Sequence, residues 1–135
     1  DPLYPNEYYL NNTGQAGGFP GIDINAPEAW AITRGCNNIR VAVVDDGVEE
    51  HEDLAGRVLG GFTPDNPING NGRPALNCQL TPNPGDVELR TGHGLACAGI
   101  IAASHNNVGI AGVAPNAQII PVNILPQAGR MCQIW

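Results

Sequence analysis

Two side chains in this sequence have the chemistry of a proton-transfer pair, Asp45 and His93. Asp45 follows the run Ile39-Arg-Val-Ala-Val-Val44, a β-branched apolar stretch that predicts a strand buried on both faces. His93 opens a stretch whose continuation, Leu-Ala-Cys-Ala-Gly-Ile-Ile-Ala-Ala, is almost all small or apolar. That stretch predicts a helix buried on most sides. Ligands of open α/β sheets bind beyond the carboxyl ends of the strands, so both residues would face one crevice. A carboxylate beside an imidazole holds one tautomer and stabilises the imidazolium, which is the base and orienter of a nucleophilic triad. As isolated residues, an Asp after a strand is more often a turn or cap, and a His at a helix start a polar end. The surrounding sequence must carry the stronger reading.

The elements that position the pair follow from the chain around them. Residues 1–24 are polar and aromatic with Pro, Asn and Gly punctuation, and predict an extended arm rather than a helix. Asn25-Ala-Pro-Glu28 predicts a helix start, with Asn25 as cap, Pro27 in the first turn and Glu28 at the capping-box position. Gly35 would end that helix. Residues 63–90 hold five prolines and predict a long surface excursion. Residues 104–116, rich in Asn and Gly, predict a loop. Gln118-Ile-Ile-Pro-Val-Asn-Ile-Leu125 reads as a second buried strand, with Pro121 marking an edge or an irregularity. Strand, crossover helix and strand make a βαβ unit and hence a parallel sheet. Two or three strands leave such an α/β fold incomplete.

Composition narrows the functions. The 135 residues amount to about one small domain, and 42% are hydrophobic, enough for a packed core. Net charge is −7, with six Arg and no Lys, which argues against binding nucleic acid through its phosphates. An acidic surface favours cations or positively charged substrates. No apolar run is long enough for a membrane span. The chain starts at Asp1 with no initiator Met, signal peptide or transit segment, and is expected to be processed or trimmed. Cys36, Cys78, Cys97 and Cys132 form no CxxC, so a structural zinc site is not expected. Cys97, inside the small-residue helix, is expected to be a buried free thiol close to His93. The other three allow one disulfide and one spare thiol, with the pairing open.

Four blocks then occur in order: Val41-Ala-Val-Val-Asp-Asp-Gly47, His51-Glu-Asp-Leu54, Gly92-His-Gly-Leu-Ala-Cys-Ala-Gly99 and Gly109-Ile-Ala-Gly-Val-Ala-Pro115. In this the chain strongly resembles the subtilisin-like serine proteases, over about residues 1–125. The opening Asp1-Pro-Leu-Tyr-Pro, Tyr9-Leu-Asn-Asn-Thr-Gly14 and the doubled Asp45-Asp46 resemble most the kexin and furin branch and its bacterial relatives. The resemblance implies an α/β fold, a subtilisin-like parallel sheet with helices on both faces, incomplete in this chain. It divides the chain into an arm (1–24), the N-terminal half of a catalytic domain (25–125) and an atypical tail (126–135).

By the same resemblance, Asp45 is the triad carboxylate, His93 the general base and Asp46 a contact for the substrate residue two before the cut. Asp46 alone also reads as a helper of the turn. Arg90 stands where the kexin branch tends to carry acidic residues, which weakens any expectation of strict dibasic specificity. The resemblance further implies a structural calcium ion held by Asp1, Asp53 and Asn106 side chains and by Ser104, Val108 and Ile110. Six of residues 45–53 are acidic, and Glu49, Glu50 and Glu52 read as a solvated face. The partner implied is a peptide or protein substrate, together with the missing C-terminal half of the catalytic domain, and the location is secreted or extracellular.

No Gly-Thr-Ser-x-Ala-x-Pro segment is present, and Ser104 is the only serine. The chain is therefore expected to supply the Asp and His of a serine endopeptidase without its nucleophile. The alternatives are a truncated, inert, calcium-stabilised fragment that binds or merely persists, or a hydrolytic metal centre built from Asp45, Asp46, His51, Asp53, His93 and His105.

Overall fold

The structure, a computed structural model, describes residues 1–64, 70–73 and 92–124. The proline-rich excursion lies largely outside the described residues, as do Cys78, Arg90, Cys132 and the tail.

A β-branched run forms strand β1 (Arg40–Asp45), and Gln118–Asn123 forms β2. They pair in parallel, with Val41 opposite Ile119, Val43 opposite Pro121 and Asp45 opposite Asn123. Between them in sequence lies helix α2 (His93–Ala102), which packs on both strands. The expected βαβ unit is thus present. Strand periodicity puts Val41, Val43 and Asp45 on one face, toward α2. Val43, Ala98, Ala102 and Ile119 share a core with Val48, Leu54 and Val58.

One expectation of burial needs correction. β1 is not buried on both faces: Ala42 is exposed and Val44 is 56% exposed. Its side opposite α2 faces outward among the described residues. Helix α2 is covered on most sides, as expected: Gly94, Ala98 and Ala102 are buried, Leu95, Cys97 and Ile101 pack half-buried against the core, and the exposed residues His93, Ala96 and Ile100 form one narrow stripe. Among the described residues, Pro121 sits on an edge strand, one of the two expected readings, and does not interrupt the β1–β2 pairing. Residues 119, 121 and 123 turn their backbone groups to the far side, where Leu59 and Phe62 donate to the Ile119 and Pro121 carbonyls. The donor that proline lacks belongs to that outer edge, which among the described residues joins β2 through isolated bridges at Val58 and Phe62.

The first helix, α1 (Ala26–Ile32), has proline in its first turn as expected. Asn25 does not cap it. Its backbone is left-handed (φ 53°), its side chain makes no capping bond, and its own N–H donates to Asp23. The helix stops at Ile32 because Thr33 turns extended. Gly35, at φ +77°, lies beyond the helix and turns the chain against Ala114. The arm holds only a short 3-10 turn, Tyr4–Asn6, and is firmly docked. Leu10 is fully buried with Ala26 and Ala111. The buried Glu7 carboxylate accepts from the Tyr9 hydroxyl (2.6 Å) and the Ala111 N–H (2.8 Å).

Candidate active site

Asp45 ends β1 on the face toward α2, and His93 is the first residue of that helix. His93 Nδ1 lies 2.7 Å from Asp45 Oδ2. The Asp45 side chain is 17% exposed and that of His93 63%. The carboxylate is therefore sheltered and the imidazole open to an incoming group. The other Asp45 oxygen accepts from the Asp46 N–H at 2.7 Å. Burial pushes the Asp45 carboxyl up, but the Asp46 N–H, the His93 bond and the His93 charge together hold it below the usual carboxylate value. An ionised Asp45 accepting from Nδ1–H leaves Nε2 as the basic nitrogen.

Asp46 points its carboxylate back at the helix. Oδ1 accepts from Gly94 N–H at 2.7 Å and Oδ2 from His93 N–H at 3.3 Å. Gly94 permits this approach. A Cβ there would overlap the Gly47 carbonyl oxygen and lie 2.9 Å from Asp46 Oδ1.

Cys97, one turn along α2, places Sγ 3.8 Å from His93 Nδ1. Its thiol is free, as expected, but half-buried rather than buried. Partial burial and the nearby charges of Asp45 and Asp46 raise its pKa. Cys36 is also free and is exposed.

The second constellation lies at the far end of α2. Asp53 is 3% exposed. Its carboxylate accepts from Asn106 Nδ2 (3.0 Å) and Ile110 N–H (3.2 Å). Asp1 accepts from Asn106 N–H at 2.8 Å, and Asn106 Oδ1 accepts from Val108 N–H at 2.6 Å. Ser104 donates its N–H to the Asp53 carbonyl. All six residues of the expected calcium set thus fall in one neighbourhood. The chain wraps the carboxylate closely: Gly109 has φ +55°, and a Cβ there would overlap Asp53 Oδ2. In the structure as it stands, the Asp53 carboxylate is served by N–H donors, and Asp1 and Asn106 Oδ1 are likewise engaged by backbone N–H groups.

Sequence reading missed Arg57. Its guanidinium donates to the Asp53 carbonyl (3.0 Å), Ser104 Oγ (2.7 Å) and the Ala117 carbonyl (3.1 Å). It ties the acidic segment to the loop and to the start of β2. The one signal was a lone cation within a strongly acidic stretch.

The alternative metal centre does not assemble. His51 caps the 3-10 turn at Glu52–Leu54 by accepting from Asp53 N–H. His105 rests against the Trp30 ring, 4.4 Å between centroids, with Nε2 3.1 Å from the Gly112 carbonyl. Among the described residues, the groups that come within joint ligand reach are Asp45, His93 and Cys97.

A parallel βαβ unit with a carboxylate–imidazole pair at the strand end and helix start places the described residues among α/β folds, as expected. The Subtilase family model matches residues 36–134, and the chain belongs to that family.

Thermitase of Thermoactinomyces vulgaris is 41% identical over 108 residues, covering 78% of this chain and 33% of thermitase. Human neuroendocrine convertase 2 is 34% identical over 130 residues, 94% of this chain and 19% of the convertase. The crystal structure of the Aeromonas sobria serine protease with its chaperone aligns at a TM-score of 0.74 and 31% identity. That alignment covers 96% of this chain and 21% of the protease chain. The chain therefore spans a third or less of these relatives. Among the described residues, no helix is long and apolar enough to cross a membrane.

Proposed function

We propose that these residues form the Asp–His half of a serine endopeptidase active site that cuts peptide bonds. The observation that carries this is the 2.7 Å contact between Asp45 Oδ2, at the end of β1, and His93 Nδ1, at the start of α2. His93 Nε2 takes the proton of a serine hydroxyl as it attacks the peptide carbonyl, then returns it to the leaving amine. Asp45 holds the ring and stabilises its charge. The serine comes from outside these 135 residues. Ser104 lies just past the far end of α2, about 15 Å from His93 by helical rise, and its hydroxyl is engaged by Arg57. The 135-residue chain alone is accordingly inert, and the whole protease needs the remainder of its catalytic domain.

Calcium at Asp1, Asp53, Ser104, Asn106, Val108 and Ile110 would serve as a structural clamp, exchanging the present hydrogen bonds for coordination. A secreted or extracellular location accords with that dependence. The test is a fluorophosphonate serine probe and a peptide substrate, applied to the protease containing this chain and to the chain alone. Labelling and hydrolysis are expected only in the former, and both fall away in His93→Ala. Labelling of the isolated chain would overturn the assignment of the nucleophile to another segment.

A further inference from the structure

We infer that Asp46 is a positioning residue, whose carboxylate anchors the first turn of α2 and so sets the angle at which His93 meets Asp45. The inference rests on the protease reading and assigns Asp46 a task beyond substrate contact.

The first N–H groups of a helix have no partner within it. Gly92, at the cap position of α2, has no side chain to serve them. Asp46 serves them from another element, taking Gly94 N–H at 2.7 Å and His93 N–H at 3.3 Å. Negative charge at a helix N-terminus is also favourable. Asp46 in turn donates its own N–H to Asp45 Oδ1, and Asp45 Oδ2 meets His93 Nδ1. A closed circuit results. Asp45 holds the ring of His93, Asp46 holds its backbone, and one peptide bond joins the two acids.

The His93 side chain is 63% exposed, so packing restrains it little. Its direction depends on these bonds. Gly94 keeps the circuit short, because a Cβ would sit 2.9 Å from Asp46 Oδ1 and 3.1 Å from the Asp45 Cβ.

The test uses the protease containing this chain, with Asp46→Ala and Asp46→Asn. Rates are normalised to active sites, on peptides bearing Lys or Ala two residues before the cut. The downfield proton resonance of His93 Nδ1–H is recorded alongside. Asp46→Ala is expected to lower kcat about 10- to 100-fold on both peptides. KM stays nearly unchanged, and the resonance shifts or broadens. Asp46→Asn keeps one acceptor for Gly94 N–H and recovers most of both signals. A rise in KM confined to the Lys peptide, with kcat and the resonance intact, would overturn the inference and assign Asp46 to substrate. If the wild type cleaves no peptide, the protease reading fails separately. The resonance then decides alone, and an unmoved signal in Asp46→Ala sinks the positioning role.

Discussion

Asp45 and Asp53 are eight residues apart, and each is served by backbone N–H groups, yet the fold treats them in opposite ways. Asp45 stands at the end of β1 beside an imidazole that solvent can reach. Asp53 is enclosed, with the 104–110 loop turned over it at Gly109. Helix α2 joins the two regions: its first residue meets Asp45, and the chain leaving its last turn meets Asp53. A carboxylate that steers proton transfer must leave its partner accessible, whereas one that fastens the chain gains by exclusion of water. On the proposed reading, the same residue type would steer proton transfer at one end of a helix and fasten the chain at the other.

The largest expected effect breaks the comparison on the Asp45 side. In the protease containing this chain, His93→Ala should lower turnover about 10⁶-fold and Asp45→Asn about 10⁴-fold, with only a small fall in melting temperature from the lost pairing. Steady-state kinetics with a thermal melt checks both. The same two measurements on Asp53→Ala should give the reverse pattern. Calcium at about 100 times its dissociation constant adds about 2.7 kcal/mol, so the variant, or the wild type in EGTA, should melt several degrees lower. A melt indifferent to EGTA would remove calcium from the account.

Gly109→Ala sharpens the enclosed side further. It strains a positive φ and drives a methyl into Asp53, at a cost of about 1–3 kcal/mol read by denaturant titration.

Acid should discriminate next. The folded Asp45 pKa lies below the ordinary 3.8, so its contribution to stability is complete above that value. It is lost as pH falls through the lower folded pKa. Wild type and Asp45→Asn should therefore differ in stability above about pH 4 and converge in stronger acid. Stability measured across pH 2–6 checks this.

The smallest effect concerns Cys97. Its pKa is raised above the ordinary 9.0, so alkylation by iodoacetamide should be slow at pH 7 and accelerate only above pH 9. Mass mapping of the labelled thiols reads it out.

The Asp45–His93 pairing was legible in the sequence because it is written in local words. A β-branched run ending in Asp45, and a small-residue helix opening at His93, each declare their element and their end of it. Together they fix the parallel βαβ unit and the nearness of Cys97, since four residues make one helical turn. What strand and helix composition could not tell was which faces are covered. Val44 and Ile100 are as apolar as Val43 and Ala98, but only the latter two meet across the α2–sheet contact.

The remaining gaps concern partners far apart in sequence. Asp46 serves the N-terminus of a helix 47 residues away, and Arg57 reaches Ser104 and Ala117. Asn25 has the residue type of a cap but a left-handed backbone, because the Asp23 turn before it claims its N–H. Local sequence sets which groups need hydrogen-bond partners. Only the packing of β1, α2 and the 104–110 loop decides which distant side chain supplies them, since a bond forms where two groups meet in space with suitable direction.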